Sequence, residues 1–249
     1  MLLLLARSAA AVAALALVAG CATAPGGDPR DPFEPFNRDV TRFNDAVDNA
    51  VLRPVAIGYQ NITPQFVRTG VNNFFGNLRD VWSLVNNVLQ LRVQASGETL
   101  IRIGTNTLFG LGGLVDIASE LEIDRHKTDF GLTLGRYGVP TGPYLVLPLL
   151  GPSTVRDTAA LPVEWKGDVL SYVHDVPVRN SLYVLRLVDT RAGLLRAGSV
   201  LEQAALDKYS FTRDAYLQLR NASAQKADDG SLDDDPAGAD AAPAAGARP

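Results

Sequence analysis

Val71-Asn72-Asn73-Phe74-Phe75-Gly76-Asn77-Leu78-Arg79-Asp80-Val81-Trp82-Ser83-Leu84-Val85-Asn86-Asn87-Val88-Leu89 decides what kind of fold this chain adopts. Apolar residues at 71, 74, 75, 78, 81, 82, 85, 88 and 89 recur at spacings of mostly three and four, the period of one helix face. A helix of this length reaches about 28 Å, close to the thickness of a bilayer core. The remaining positions hold Asn72, Asn73, Asn77, Arg79, Asp80, Asn86 and Asn87. Each central Asp or Arg costs roughly 2.5–3.5 kcal/mol on insertion into a bilayer, and the amides add to this. The segment therefore reads as an amphipathic helix that does not cross a membrane.

The same signature extends outward in both directions. Upstream, Asp31-Pro32-Phe33-Glu34 offers an Asp N-cap, Pro at the first helical position and Glu at the third. Phe33, Phe36, Val40, Phe43 and Val47 then fall on one face. Arg53-Pro54 and Thr63-Pro64 mark further starts. Downstream, helices are predicted over Ser96–Leu108, Asp129–Tyr137, Pro152–Leu161 and Val178–Leu206, with a last one opening near Asp207. Tyr144–Leu150, the most apolar stretch of the body, contains Pro148 and is too short to span a bilayer. Strict alternation is scarce, so the expected fold is mainly α, a single domain over residues 31–225 without internal repeats. Helices of this kind pack into a core or lie in a membrane interface, their apolar faces sunk about 5–10 Å. Phe36, Phe43, Phe74, Phe75 and Trp82 are the candidates to face lipid.

The ends of the chain speak to location. Arg7, the apolar run Ala9–Ala19 and Gly20 precede Cys21, the one cysteine. A basic segment, an apolar segment of about 11 residues and small residues before the cut read as a secretory signal, residues 1–20, expected to be removed. Cys21 at the cut resembles the lipobox of bacterial lipoproteins, in which the thiol is acylated. Buried acyl carbon contributes about 0.8 kcal/mol per CH₂, and two chains give stable anchoring. Ala22, where Asp marks inner-membrane retention in many such proteins, points by that resemblance to the outer membrane. Residues 21–30 are expected to form a flexible tether. Residues 226–249, rich in Asp, Ala, Pro and Gly, are expected to be a disordered acidic tail. Six aspartates after Ala224 carry most of the net charge of −4, so the body is close to neutral and has no basic field for nucleic acid.

No pattern in the body supplies catalysis. Ser153 lies in Gly151-Pro152-Ser153-Thr154-Val155 rather than a nucleophile elbow. His126 sits between Arg125 and Lys127, which favours a solvated loop over a metal site, and His174-Asp175 near Ser171 lacks triad spacing. Gly110-Leu111-Gly112-Gly113 lacks the Gly-Lys-Ser/Thr ending of a phosphate loop. No catalytic residue, metal or cofactor is expected.

Several segments together resemble the MlaA/VacJ family of outer-membrane lipoproteins. They are Asp31-Pro32-Phe33-Glu34 with Phe36-Asn37-Arg38, Arg53-Pro54-Val55-Ala56, Val71-Asn72-Asn73-Phe74 with Asn77-Leu78, and Asn106-Thr107-Leu108-Phe109-Gly110. The most specific is Asp129-Phe130-Gly131-Leu132-Thr133-Leu134-Gly135-Arg136-Tyr137-Gly138-Val139, running on through Gly142-Pro143-Tyr144 to Arg156-Asp157. Pro35 and the acidic tail depart from the family's pattern. The resemblance implies a ring of amphipathic helices in the inner leaflet, with a central channel through which misplaced glycerophospholipids pass to a periplasmic carrier. That carrier serves an ABC-transporter-linked pathway, and members sit against trimeric porins. Gly110, Gly112 and Gly113 are candidates to line or gate such a channel, or alternatively form a plain turn. Tyr144, Arg156 and Asp157 are candidates to meet a head group, with surface pairing the alternative for the last two. Replacing Asp157 with Arg is expected to alter barrier function without lowering protein level. A porin brace without a lumen and a lipid hydrolase are the competing functions.

Overall fold

The computed structural model describes residues 28–229. The signal segment, Cys21 and the tail beyond residue 229 lie outside the described residues. The chain is mainly helical, and no helix among the described residues is long and apolar enough to cross a membrane.

Helix α1 (Glu34–Val47) passes through one π-helical turn (Asp48–Leu52) into α2 (Arg53–Ile62). The irregular turn coincides with Pro54, whose missing N–H interrupts the regular ladder. After Thr63-Pro64, α3 (Gln65–Leu89) forms the longest element, and α4 (Val93–Leu108) packs along it. Between these two helices Leu91 takes a left-handed backbone, φ 58°. Short helices α5 (Ile117–Glu120) and α6 (Phe130–Arg136) follow, their first turns capped by Asp116 and Asp129. Strands β1 (Tyr144–Leu147) and β2 (Gly151–Thr154) pair antiparallel with Tyr144 opposite Thr154. Helix α7 (Val155–Gly167), a 3₁₀ turn (Val169–Tyr172), α8 (Val176–Gly193), α9 (Leu195–Ala204) and α10 (Lys208–Asp229) complete the fold.

Four expectations are corrected by this arrangement. The β hairpin was not anticipated: Tyr144 and Val146 are buried and Leu145 and Leu147 half-buried, but all four are apolar, so the alternation is invisible in sequence. The helix predicted from Pro152 starts at Val155, after Thr154 accepts a hydrogen bond from the Asp157 amide at 3.2 Å. The helix predicted over Val178–Leu206 breaks after Gly193. Asp31 is no N-cap, because α1 begins at Glu34 and the Asp31 carboxylate is fully buried as an acceptor for Asn37 and Tyr209.

The hydrogen-bonded structure also runs further than expected at both ends of the body. Arg30, placed in the tether by sequence, accepts the Tyr144 amide on its carbonyl at 2.8 Å and pairs with Asp28 and Asp214. Helix α10 runs on to Asp229, past the expected tail boundary at 226.

Polarity is inverted along α3. Its buried residues are Phe75, Gly76, Asn77, Asp80, Ser83, Asn86 and Asn87, whereas Val85, Val88 and Leu89 are exposed. Buried amides need hydrogen bonds, and each of these makes at least one, although the Asn77 Oδ1 and Gln90 Oε1 oxygens have no partner. Asn86 donates to the Trp82 carbonyl at 2.9 Å and accepts from Thr133 Oγ1 at 2.8 Å. Asn87 donates to the His126 carbonyl at 3.2 Å, and Gln90 to Thr128 and Thr133, both at 2.8 Å. A network bonded in this way is directional, so it fixes how α4, α6 and the 121–129 loop sit on α3. The apolar core is correspondingly small: Val40, Tyr144, Val146, Tyr209 and Leu217, where α1, the hairpin and α10 meet.

Candidate functional site

A cavity of about 940 Å³ opens between α3, α7, α8, α10 and the hairpin. Leu78, Trp82, Leu147, Leu150, Leu161, Trp165 and Leu187 supply apolar wall, and charged side chains supply the rest. Three arginines stand in that wall, each held by carboxylates. Arg125 donates to both oxygens of Asp80, at 2.9 Å from Nε and 2.8 Å from Nη2. Arg186 pairs with Asp168 at 2.6 Å. Arg220 bridges Asp129 at 2.5 Å and Asp157 at 2.7 Å.

Glycines on the helices make these approaches possible. A Cβ at Gly76 would stand 2.5 Å from the Arg125 guanidinium, and one at Gly131 would collide with Asp157 and Arg220. Gly167 likewise leaves room for the Trp82 ring, whose indole N–H donates to Glu164 at 2.7 Å. Burial pushes the Glu164 carboxyl above its ordinary pKa. At Asp157 burial acts in the same direction, but the Arg220 guanidinium outweighs it and holds the carboxyl below the ordinary range. The cavity is thus amphipathic: charges fixed in pairs on some surfaces, hydrocarbon on the others. Such a wall suits a ligand with a charged head and an apolar body.

Of the groups weighed for catalysis, His126 lies outside the cavity wall and Ser153 lines it, each with a side-chain partner. His126 Nε2 lies 2.5 Å from Glu98, and Ser153 Oγ lies 3.0 Å from the Thr158 hydroxyl. No three His, Cys, Asp or Glu side chains among the described residues are placed to hold a metal ion.

The profile of the MlaA lipoprotein family matches residues 29–223. The chain belongs to the MlaA family. It is 36% identical over 209 residues to the intermembrane phospholipid transport system lipoprotein MlaA of Escherichia coli, covering 81% of this chain and 82% of that protein. The Haemophilus influenzae protein of the same name is 34% identical over 226 residues, covering 84% and 86%. A solved structure from work on the structural basis for maintenance of bacterial outer membrane lipid asymmetry superposes with a TM-score of 0.68 at 35% identity. It covers 78% of this chain and 98% of the solved one.

Within this MlaA-family fold the residues singled out from sequence separate. Asp157 lines the cavity; Arg156 lies behind it, buried, its Nε 3.2 Å from Asp157. Tyr144 is in the apolar core, its ring in edge contact with Tyr209 and 6.1 Å from that of Tyr216, a cavity residue. Gly110, Gly112 and Gly113 do not line the cavity but form the turn after α4. Gly112 and Gly113 have φ of 73° and 93°, and the Gly110 carbonyl accepts the Val115 amide at 2.9 Å. Of the expected lipid-facing residues, Phe36 and Phe43 are each 51% exposed and Phe74 is half-buried. Phe75, at 2% exposure, packs inward against Phe74, and Trp82 belongs to the cavity wall. Helical period places Phe75 on an apolar stripe but does not tell which edge of the stripe turns inward. Arg125, Arg186 and Arg220 were missed, because their partners lie far away in sequence: Arg220 and Asp129 are 91 residues apart.

The turn makes a prediction of its own. A methyl at Gly110 would collide with the Val115 and Asn106 carbonyls, whereas at Gly112 it meets open space. Gly110→Ala is expected to cost about 1–3 kcal/mol and Gly112→Ala about 1 kcal/mol, read by chemical denaturation. Equal, negligible costs would show that the turn is loosely held.

Proposed function

We propose that this chain is an outer-membrane lipoprotein, anchored through acylated Cys21 on the periplasmic side. In this reading it provides a passive amphipathic path for glycerophospholipids misplaced in the outer leaflet. Lipid moves down its gradient or is drawn on by partners: a periplasmic carrier of an ABC-transporter-linked pathway, with a trimeric porin alongside. The protein is then a conduit and not an enzyme, and its activity maintains lipid asymmetry.

The observation that carries the reading is the cavity, with paired charges and hydrocarbon on one continuous wall. The E. coli relative's role in intermembrane phospholipid transport supports the substrate class. The apolar exterior supports placement in an interface: Ile62, Phe66, Leu91, Val93, Leu108 and Phe109 are all exposed. Burial of apolar area contributes about 25 cal/mol per Å², so lipid is the favourable environment for such a surface. A porin brace without a lumen would be expected to close over this space with packed side chains.

Mass spectrometry of the full chain purified in mild detergent tests the reading. A bound glycerophospholipid is expected; protein free of lipid, or carrying only detergent, would contradict it.

A further inference from the structure

Arg79 differs from the other arginines of the cavity. Among the described residues its guanidinium makes no hydrogen bond or ion pair, although its side chain is exposed and lines the cavity. The nearby carboxylates are committed. Asp80 has both oxygens on Arg125, at 2.9 and 2.8 Å, and Asp168 has both on Arg186, at 3.1 and 2.6 Å. Asp189 accepts from the Tyr59 hydroxyl at 3.1 Å and the Asn72 amide at 3.4 Å. Arg79, Arg125 and Arg186 thus stand with Asp80, Asp168 and Asp189, and of these three guanidiniums Arg79 is the one with no carboxylate bonded to it. Trp82 is one helical turn further along α3 and also lines the cavity, so charge and hydrocarbon adjoin there.

We infer that Arg79 engages the phosphodiester of a glycerophospholipid held in the cavity, while Trp82 and the adjoining leucines receive its acyl chains. The inference rests on the conduit reading above and names the residue that reads the head group. Phosphate is the group that both pairs with an unbonded guanidinium and matches its fork. The paired arginines do not compete for it, since each would first have to give up its carboxylate. Arg79 is the cation available without breaking a bond.

The test uses the full chain in mild detergent with two probes of identical acyl chains, phosphatidylglycerol and diacylglycerol, plus inorganic phosphate as competitor. The wild type is expected to hold phosphatidylglycerol roughly tenfold more tightly than diacylglycerol. Arg79→Gln should abolish that preference and leave diacylglycerol binding unchanged; Arg79→Lys should keep most of it. A preference that survives Arg79→Gln, or an equal loss of both lipids, overturns the inference. Displacement by millimolar phosphate also overturns it, because the site would then bind a free anion. A wild type that holds neither lipid instead removes the conduit reading itself.

Discussion

Asp157→Arg should lower the stability of the body by about 3–5 kcal/mol, the cost of breaking a buried ion pair. Asp157 receives Arg220 at 2.7 Å, Arg156 at 3.2 Å and the Tyr216 hydroxyl at 3.1 Å, and its side chain is 11% exposed. The substitution would set a third guanidinium against Arg156, which has lost its acceptor, and Arg220, which keeps only Asp129. Arg156 has little escape, since its side chain is 3% exposed and packs where Gly135 has no Cβ. For a body of this size a fall in melting temperature of roughly 10 °C is expected, with a lower protein level in cells. This reverses the expectation from sequence that the level would hold. Asp157→Asn, which keeps the shape and one acceptor oxygen, should cost less than half as much. An unchanged melting temperature for Asp157→Arg would show that the cluster is not a structural pivot.

Asp31→Ala should be comparably damaging, at about 3–5 kcal/mol. The Asp31 carboxylate is fully buried and gathers donors from two elements at one point: Asn37 of α1 at 2.8 Å, and the Tyr209 hydroxyl and Arg213 guanidinium of α10 at 2.5 and 3.4 Å. Asn37 in turn spans to the hairpin, donating to the Tyr144 carbonyl at 3.1 Å and accepting the Val146 amide at 2.8 Å. Removing Asp31 leaves the buried Tyr209 hydroxyl without its acceptor and takes one of two from the Asn37 amide, while Arg213 keeps Asp28 and Asp214. Asp28→Ala is the control. Its partners Arg30 and Arg213 keep Asp214, and Arg213 also keeps Asp31, so a cost of no more than about 1 kcal/mol is expected. Denaturation midpoints measured side by side decide the matter, and equal losses for the two variants would contradict the account.

Helices were legible in the sequence because their period is local. The 71–89 segment is helical, and its polar residues do bar it from spanning a membrane. The period could not say which face turns inward. On α1, Asn37 is buried while Phe36 and Phe43 are exposed, opposite to the usual rule. That inversion follows from long-range partners such as the hairpin carbonyl bound by Asn37, which no local window contains. The hairpin itself was hidden because both of its faces are apolar in β1. In the site, Asp157 could be found as a charge close behind an apolar run. Arg125, Arg186 and Arg220 could not, since their roles depend on the fold bringing Asp80, Asp168 and Asp129 to them. The glycines after α4 drew notice as a possible passage or a plain turn; Gly112 and Gly113 take positive φ angles, and Gly110 accepts the Val115 amide within that turn.

The most direct test of the conduit is where lipid touches the chain in living cells. A photo-crosslinking amino acid at Leu161, in the cavity wall, is compared with one at Arg42, on the exposed surface of α1, in cells labelled with radioactive phosphate. A phospholipid adduct at position 161 and none at position 42 is predicted. No adduct at 161, or equal labelling at both, would contradict the claim that phospholipid passes through this cavity.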